Sequence, residues 1–389
     1  MKKEAVSNVI KEKLLTTILI IFVLKLGSYI PILKLDQPYL SNLLVLNPII
    51  QNFITSKTLT LSIFSLGIIP NINASILIQF LINLVPSLKR LQKEEGENGK
   101  KKIKQYTRLL TLIFSLLQSF SIAFALRKDI FSWNYYFCFR FVLILTTGSM
   151  IVMWLSEIIT AKGIGNGSTT IIAMNIVSSL SNLIISLLKT GTNPFYLFFT
   201  LSILIIGTIY SQQTFKKFSI ITAKQLYQPN INSNVNYLGI KINQGGVMTI
   251  IFSTTILTFF TFIANGFVES IKFSLNSNFV SIIYTLANFC LIIFSNLIYT
   301  NFFLNPREIS ENLNRLGVAI PGVRPGLETT SYLRKKFKRI SIIGGILTGL
   351  LVIVPKLTQL PLIGLSSIII LITSIIEVTR DIKKITIKI

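Results

Sequence analysis

Few side chains in this sequence could do chemistry, and most sit where apolar runs meet charged loops. Residues 160–168 read Thr-Ala-Lys-Gly-Ile-Gly-Asn-Gly-Ser, with three alternating glycines beside a lysine, the ingredients of a phosphate cradle. The order is neither GxGxxG after a strand nor GxxxxGK[ST], so a tight turn, which Gly permits by tolerating φ > 0, is the better reading. Arg324 stands among Gly322, Pro325 and Gly326, a frame that would present a permanently charged, planar fork to carboxylates or phosphates. Glu157 and Glu377 fall in or beside apolar runs, where embedded carboxylates would suit a proton-coupled transporter. The chain has no His, which excludes imidazole metal sites, Ser-His triads and His proton shuttles. Cys138 and Cys290 both lie in apolar segments, against a disulfide or a zinc site. Paired carboxylates, a Ser-Lys dyad and HExxH are all missing, so no catalytic residue, metal or cofactor is expected.

The elements that must carry these residues are membrane spans. The chain has 389 residues, 51% hydrophobic and 13% charged, with a mean hydropathy of +0.66. Soluble domains carry about 25% charged residues. Ten apolar runs predict spans near 14–32, 70–88, 107–126, 136–158, 170–188, 194–212, 246–267, 279–303, 340–356 and 362–379. The run after Met1-Lys2-Lys3-Glu4 is too long for the core of a cleavable signal. With both termini inside, the inner side holds the N-terminus, loop 89–106, the 160–168 turn, loops 213–244 and 305–339, and the C-terminus. About 29 of the 38 Lys and Arg residues then lie on that side, counting Arg108. This accounts for the net charge of +24 better than nucleic-acid recognition does, since anionic lipid surfaces attract such loops. Outside, residues 48–66 are apolar but broken by Ser, Thr, Lys and Asn, which suits either a re-entrant segment or an outer loop with an interfacial helix. Ten spans divide into two halves of five, 1–190 and 191–389, the arrangement of inverted repeats.

Three stretches carry a family resemblance, in order along the chain. Residues 68–108 begin an apolar segment at Pro70 and leave it through a basic loop ending Lys104-Gln105-Tyr106-Thr107-Arg108. The second is the glycine turn at 160–168. The third runs from Asn305-Pro306-Arg307-Glu308 through Gly322-Val323-Arg324-Pro325-Gly326 to Thr329 and Tyr332-Leu333. Together they resemble the SecY family, the central subunits of Sec protein-conducting channels. That resemblance implies an all-α fold of ten transmembrane helices in two pseudo-symmetric halves. It implies a pore closed by a plug within about 48–66 and a lateral gate that opens to lipid. By alignment the pore ring falls on Ile72, Ile76, Ile172, Ile176, Ile251 and Ile370; branched aliphatic side chains make a dewetted constriction. Loops 213–244 and 305–339 become the docking surface for a SecA motor or the ribosome, with Arg307, Arg324, Pro325 and Gly326 as contacts. Other implied partners are a SecE-like subunit, preprotein signal sequences and membrane lipids, while a SecG-like subunit is left open. The sequence departs from the family at Met248-Thr249, where many relatives have Pro, and at Pro48–Lys57, which lacks a plug signature. The reduced loops and the AT-rich coding bias suit a plastid thylakoid channel, with a bacterial plasma membrane as the alternative. A small-solute secondary transporter is the competing function; it would want embedded charges and broken helices in matching positions, which are scarce.

Overall fold

A computed structural model describes residues 2–32, 61–94, 96–127, 134–189, 194–222, 237–268, 277–357 and 362–388. The expected plug core, Pro48–Lys57, lies outside these. The described residues are mostly helical. In chain order the helices are α1 (Lys2–Tyr29), α2 (Ile69–Leu84), α3 (Pro86–Glu94), α4 (Gly96–Ala125), α5 (Tyr135–Lys162), α6 (Gly167–Lys189), α7 (Pro194–Gln213), α8 (Gly246–Val268), α9 (Ser277–Phe303), α10 (Pro306–Arg315), α11 (Leu327–Leu357) and α12 (Leu362–Lys388). A helix overlies each of the ten expected spans. Among the described residues, four helical stretches are long and apolar enough to cross a membrane: Gly96–Phe124, Tyr135–Lys162, Ile283–Arg315 and Leu327–Val354.

The chain divides into two compact units. The first comprises Met1–Asn193, Thr254–Phe273 and Ile363–Ile389. Here α4 packs between α2 and α5, and α1 lies on α5. One of its hydrophobic clusters joins Ile32, Leu61 and Leu66 to Ile122 and Leu126 of the α4 end and to Phe141 and Leu145 of α5. Ile32 N–H donates to Leu61 O at 3.1 Å, and Ile63 N–H donates to Ile30 O at 3.2 Å. The second unit comprises Pro194–Ser253 and Ser274–Leu362, with α9 and α11 as its closest-packed helix pair.

Two stretches differ from their sequence expectation. The single run 70–88 is two helices, bent by 106° between α2 and α3. Val85 is extended (φ −101°, ψ 112°) because the ring of Pro86 disfavours the helical region for its predecessor. Pro86 then opens α3, a position that wants no N–H donor. The expected loop 89–106 is largely helical too, since Lys, Arg, Leu, Gln and Glu are good helix formers.

Loops 213–244 and 305–339 also carry more structure than loops. Strand β1 (Phe215–Ser219) pairs antiparallel with β3 (Tyr237–Lys241), with Phe218 opposite Leu238. Strand β2 (Ile221–Thr222) pairs with β4 (Val318–Ala319), tying one loop to the other. Beneath them Phe218, Ile240, Leu313, Ile320, Leu333, Phe337 and Ile340 form one buried cluster. The alternation in Tyr237-Leu238-Gly239-Ile240-Lys241 was the available strand signal.

Candidate pore ring and docking surface

The ring candidates sit on helices whose starts are fixed locally. Pro70 stands in the first turn of α2, and Ser75 Oγ donates to Asn71 O at 2.8 Å. Ile72 and Ile76, one turn apart, are 1% and 2% exposed. Between them Asn73 is buried, and its amide has no hydrogen-bond partner among the described residues. The glycine turn does what its spacing predicts. Gly165 has φ +76°, and a Cβ on Gly167 would collide with the Ser156 carbonyl. Asn166 Oδ1 accepts from Ser168 N–H at 3.3 Å and from its hydroxyl at 3.0 Å, and Gly167 N–H donates to Thr160 Oγ1 at 2.9 Å. These bonds engage the Gly167 and Ser168 amides within the turn itself and set the start of α6, which carries buried Ile172 and Ile176. Ile370 lies half-buried on α12, in the same unit. Ile251 is buried on α8 in the second unit, where Asn243 Oδ1 accepts from Gly246 N–H at 3.1 Å at the helix start.

The docking candidates occupy the surface above the second unit's cluster. Arg324 and Pro325 are exposed. Gly326 has φ +105°, a conformation a side chain resists, and its carbonyl accepts from Ser310 Oγ and Thr330 Oγ1, each at 3.0 Å. Thr329 Oγ1 donates to Arg324 O at 2.7 Å. The backbone of the tip is therefore pinned from both α10 and α11, while the Arg324 side chain has no ion pair among the described residues. Arg307, by contrast, donates to Glu311 one turn away at 3.3 Å, with both groups well exposed.

Glu157 is no free intramembrane acid. Arg108 embraces it with Nε at 3.1 Å and Nη2 at 2.6 Å, and Lys104 Nζ stands 3.0 Å away. The signal was legible, because the two cations and the acid lie at the inner ends of consecutive spans. Cys138 and Cys290 are free, and no group of three His, Cys, Asp or Glu that would hold a metal occurs among the described residues.

A family model described as SecY matches residues 62–379. The chain belongs to the SecY family. It is 37% identical to the protein translocase subunit SecY of Guillardia theta over 366 residues, covering 90% of this chain and 87% of that one. To SecY of Emiliania huxleyi it is 37% identical over 413 residues, covering 98% and 97%. Among solved structures, "The structure of a protein conducting channel" has a TM-score of 0.69 at 15% identity, covering 97% of this chain and 93% of that one. Sec61 in the canine ribosome-channel complex has a TM-score of 0.63 at 14% identity, covering 97% and 93%. The fold is that of SecY, an all-α membrane protein of ten transmembrane helices in two halves. As a SecY protein the chain is the central pore subunit of a Sec translocon, a channel and not an enzyme.

Proposed function

We propose that the chain conducts unfolded, signal-bearing preproteins through a constriction formed by Ile72, Ile76, Ile172, Ile176, Ile251 and Ile370, and releases hydrophobic segments sideways into lipid. The halves 1–190 and 191–389 flank the path, and a plug within about 48–66 closes its outer side. A SecA motor or the ribosome docks on Arg307, Arg324, Pro325 and Gly326 and supplies the driving force. A SecE-like subunit clamps the halves, and a SecG-like subunit is not required by the reading. The membrane is the plastid thylakoid, with both termini in the stroma. Relatives from algal plastid genomes and the inward bias of Lys and Arg support that placement.

The observation that carries the reading is the SecY family match over residues 62–379, which spans all six positions. Five of the six are also under 10% exposed, a burial they share with other helical isoleucines such as Ile122, Ile159 and Ile292, whereas Ile18, Ile113 and Ile206 face outward at 60%, 51% and 68% exposure. The transporter alternative gains no support, because the carboxylate of Glu157 is already taken by Arg108 and Lys104.

Photocrosslinkers at positions 76, 172 and 206, with a stalled signal-bearing precursor engaged, test the ring. Positions 76 and 172 are expected to capture the precursor, and to lose it when the signal is deleted, while 206 captures lipid. Equal capture at all three positions would remove the ring assignment.

A further inference from the structure

Two adjacent side chains on α9 hold the second unit's helices from different sides. The Ser295 hydroxyl lies 3.2 Å from Thr249 O, in the first turn of α8, and 3.0 Å from Ile292 O on its own helix. Asn296 Nδ2 donates to Ser341 O of α11 at 2.8 Å. Both side chains are buried, Asn296 completely. Packing around Asn296 is tight: a Cβ on Gly344 would collide with Ile242 O and come 3.1 Å from Asn296 Nδ2, and a Cβ on Gly245 would come 3.3 Å from Asn296 Oδ1. Asn296 Oδ1 and Ser341 Oγ have no hydrogen-bond partner among the described residues, so the backbone carbonyl of Ser341, not its hydroxyl, makes the link.

These bonds lie on a continuous route. Helix α11 runs unbroken from Leu327 to Leu357, and Thr329 in its first turn is bonded to the Arg324 carbonyl. Thr249 precedes Ile251 by two residues on α8. A helix moves as a rigid rod, so displacement at the Arg324 tip reaches Ser341. Gly345 and Gly349 of α11 pack closely against Ile293 and Phe289 of α9, and the Asn296 and Ser295 bonds add directional contacts that fix the register of that packing and carry it on to α8.

We propose that Ser295 and Asn296 are positioning residues that couple the Arg324 platform to the ring position Ile251. The proposal rests on the docking and ring assignments made under Proposed function, and it adds the link between them. Spatial continuity alone does not establish coupling, so the test reads coupling directly.

An environment-sensitive dye on Ile251→Cys, in a Cys138→Ser, Cys290→Ser background, reports wetting at the ring in the assembled channel in vesicles. Nontranslating ribosomes and, separately, a SecA-type motor are added, and docking is measured independently by cosedimentation. Docking is expected to shift the dye's emission. Ser295→Ala and Asn296→Ala should dock normally yet show a smaller shift, the equilibrium between the resting and docked ring states falling about fivefold, the worth of one hydrogen bond. Ser295→Thr keeps the hydroxyl and should restore the shift, and Ser341→Ala should leave it intact. A full shift in both Ala variants overturns the proposal. If neither probe docks, or if Arg324→Ala docks as well as the parent, the docking reading has failed instead. The link is then read in the resting channel, where Ser295→Ala and Asn296→Ala should each move the dye's emission and Ser341→Ala should not; no movement there overturns the proposal as well.

Discussion

The two large basic connections, 86–104 and 305–339, carry similar charge for different ends. In the first, Lys and Arg decorate helices α3 and α4, and Arg90, Lys100 and Lys101 are exposed. In the second, the chain turns back on itself, pairs with a neighbouring loop, and buries Leu313, Ile320, Leu333 and Phe337 beneath an exposed Arg324. Positive charge alone orients a loop toward the cytosolic or stromal side. Charge held on a framed backbone above its own core can also recognise a partner. The difference lies in the buried residues, not in the number of cations.

The sharpest way to break this comparison is to remove the core from the second connection. Phe337→Ala, at a fully buried position, should cost about 3–5 kcal/mol of local stability and abolish docking, seen as rapid proteolysis of 305–339 and loss of cosedimentation. Next comes the tip itself. Arg324→Ala should weaken docking by about 2 kcal/mol, roughly thirtyfold, with protease resistance unchanged; Lys should not substitute, having no planar fork. Where the first connection ends, at Lys104, the largest effect belongs to the partly exposed ion cluster that Lys104 makes with Arg108 and Glu157. Glu157→Gln should loosen α4 against α5 by about 1 kcal/mol, measured as lower thermal stability whose difference from the parent shrinks with salt. Smallest of all, Lys100→Ala should change stability and docking by less than about 0.5 kcal/mol. Docking as sensitive to Lys100 as to Arg324 would erase the distinction between the two connections.

Much of this was legible in the residues themselves. Apolar runs placed the ten helices, and alternating glycines placed the 160–168 turn, because both signals are local. The frame around Arg324 was legible for the same reason, since Gly326 needs its unusual φ whatever surrounds it. The 106° bend was missed although Pro86 marked it, because apolar residues on both sides disguised a break as one span. The cluster under Arg324 was out of reach, since it joins Phe218 and Ile240 to residues about a hundred positions later. Ser295 and Asn296 gave no sign either. A polar pair in an apolar helix reads the same whether it faces a cavity, a neighbouring carbonyl or nothing.

The pairing of Ile32 with Leu61 and of Ile30 with Ile63 has a further consequence. Downstream of it, Gly148 of α5 fits so closely against the Ile63 carbonyl that a Cβ there would collide with it. The backbone at Ile32 and at Leu61 is therefore fastened side by side. Between two points held this way, a longer connection costs little, about 0.6 kcal/mol for each doubling of its length. Insertions between Ile32 and Leu61 should thus leave the helices on either side in their seats, because the fastening and not the length of chain between sets where those helices meet.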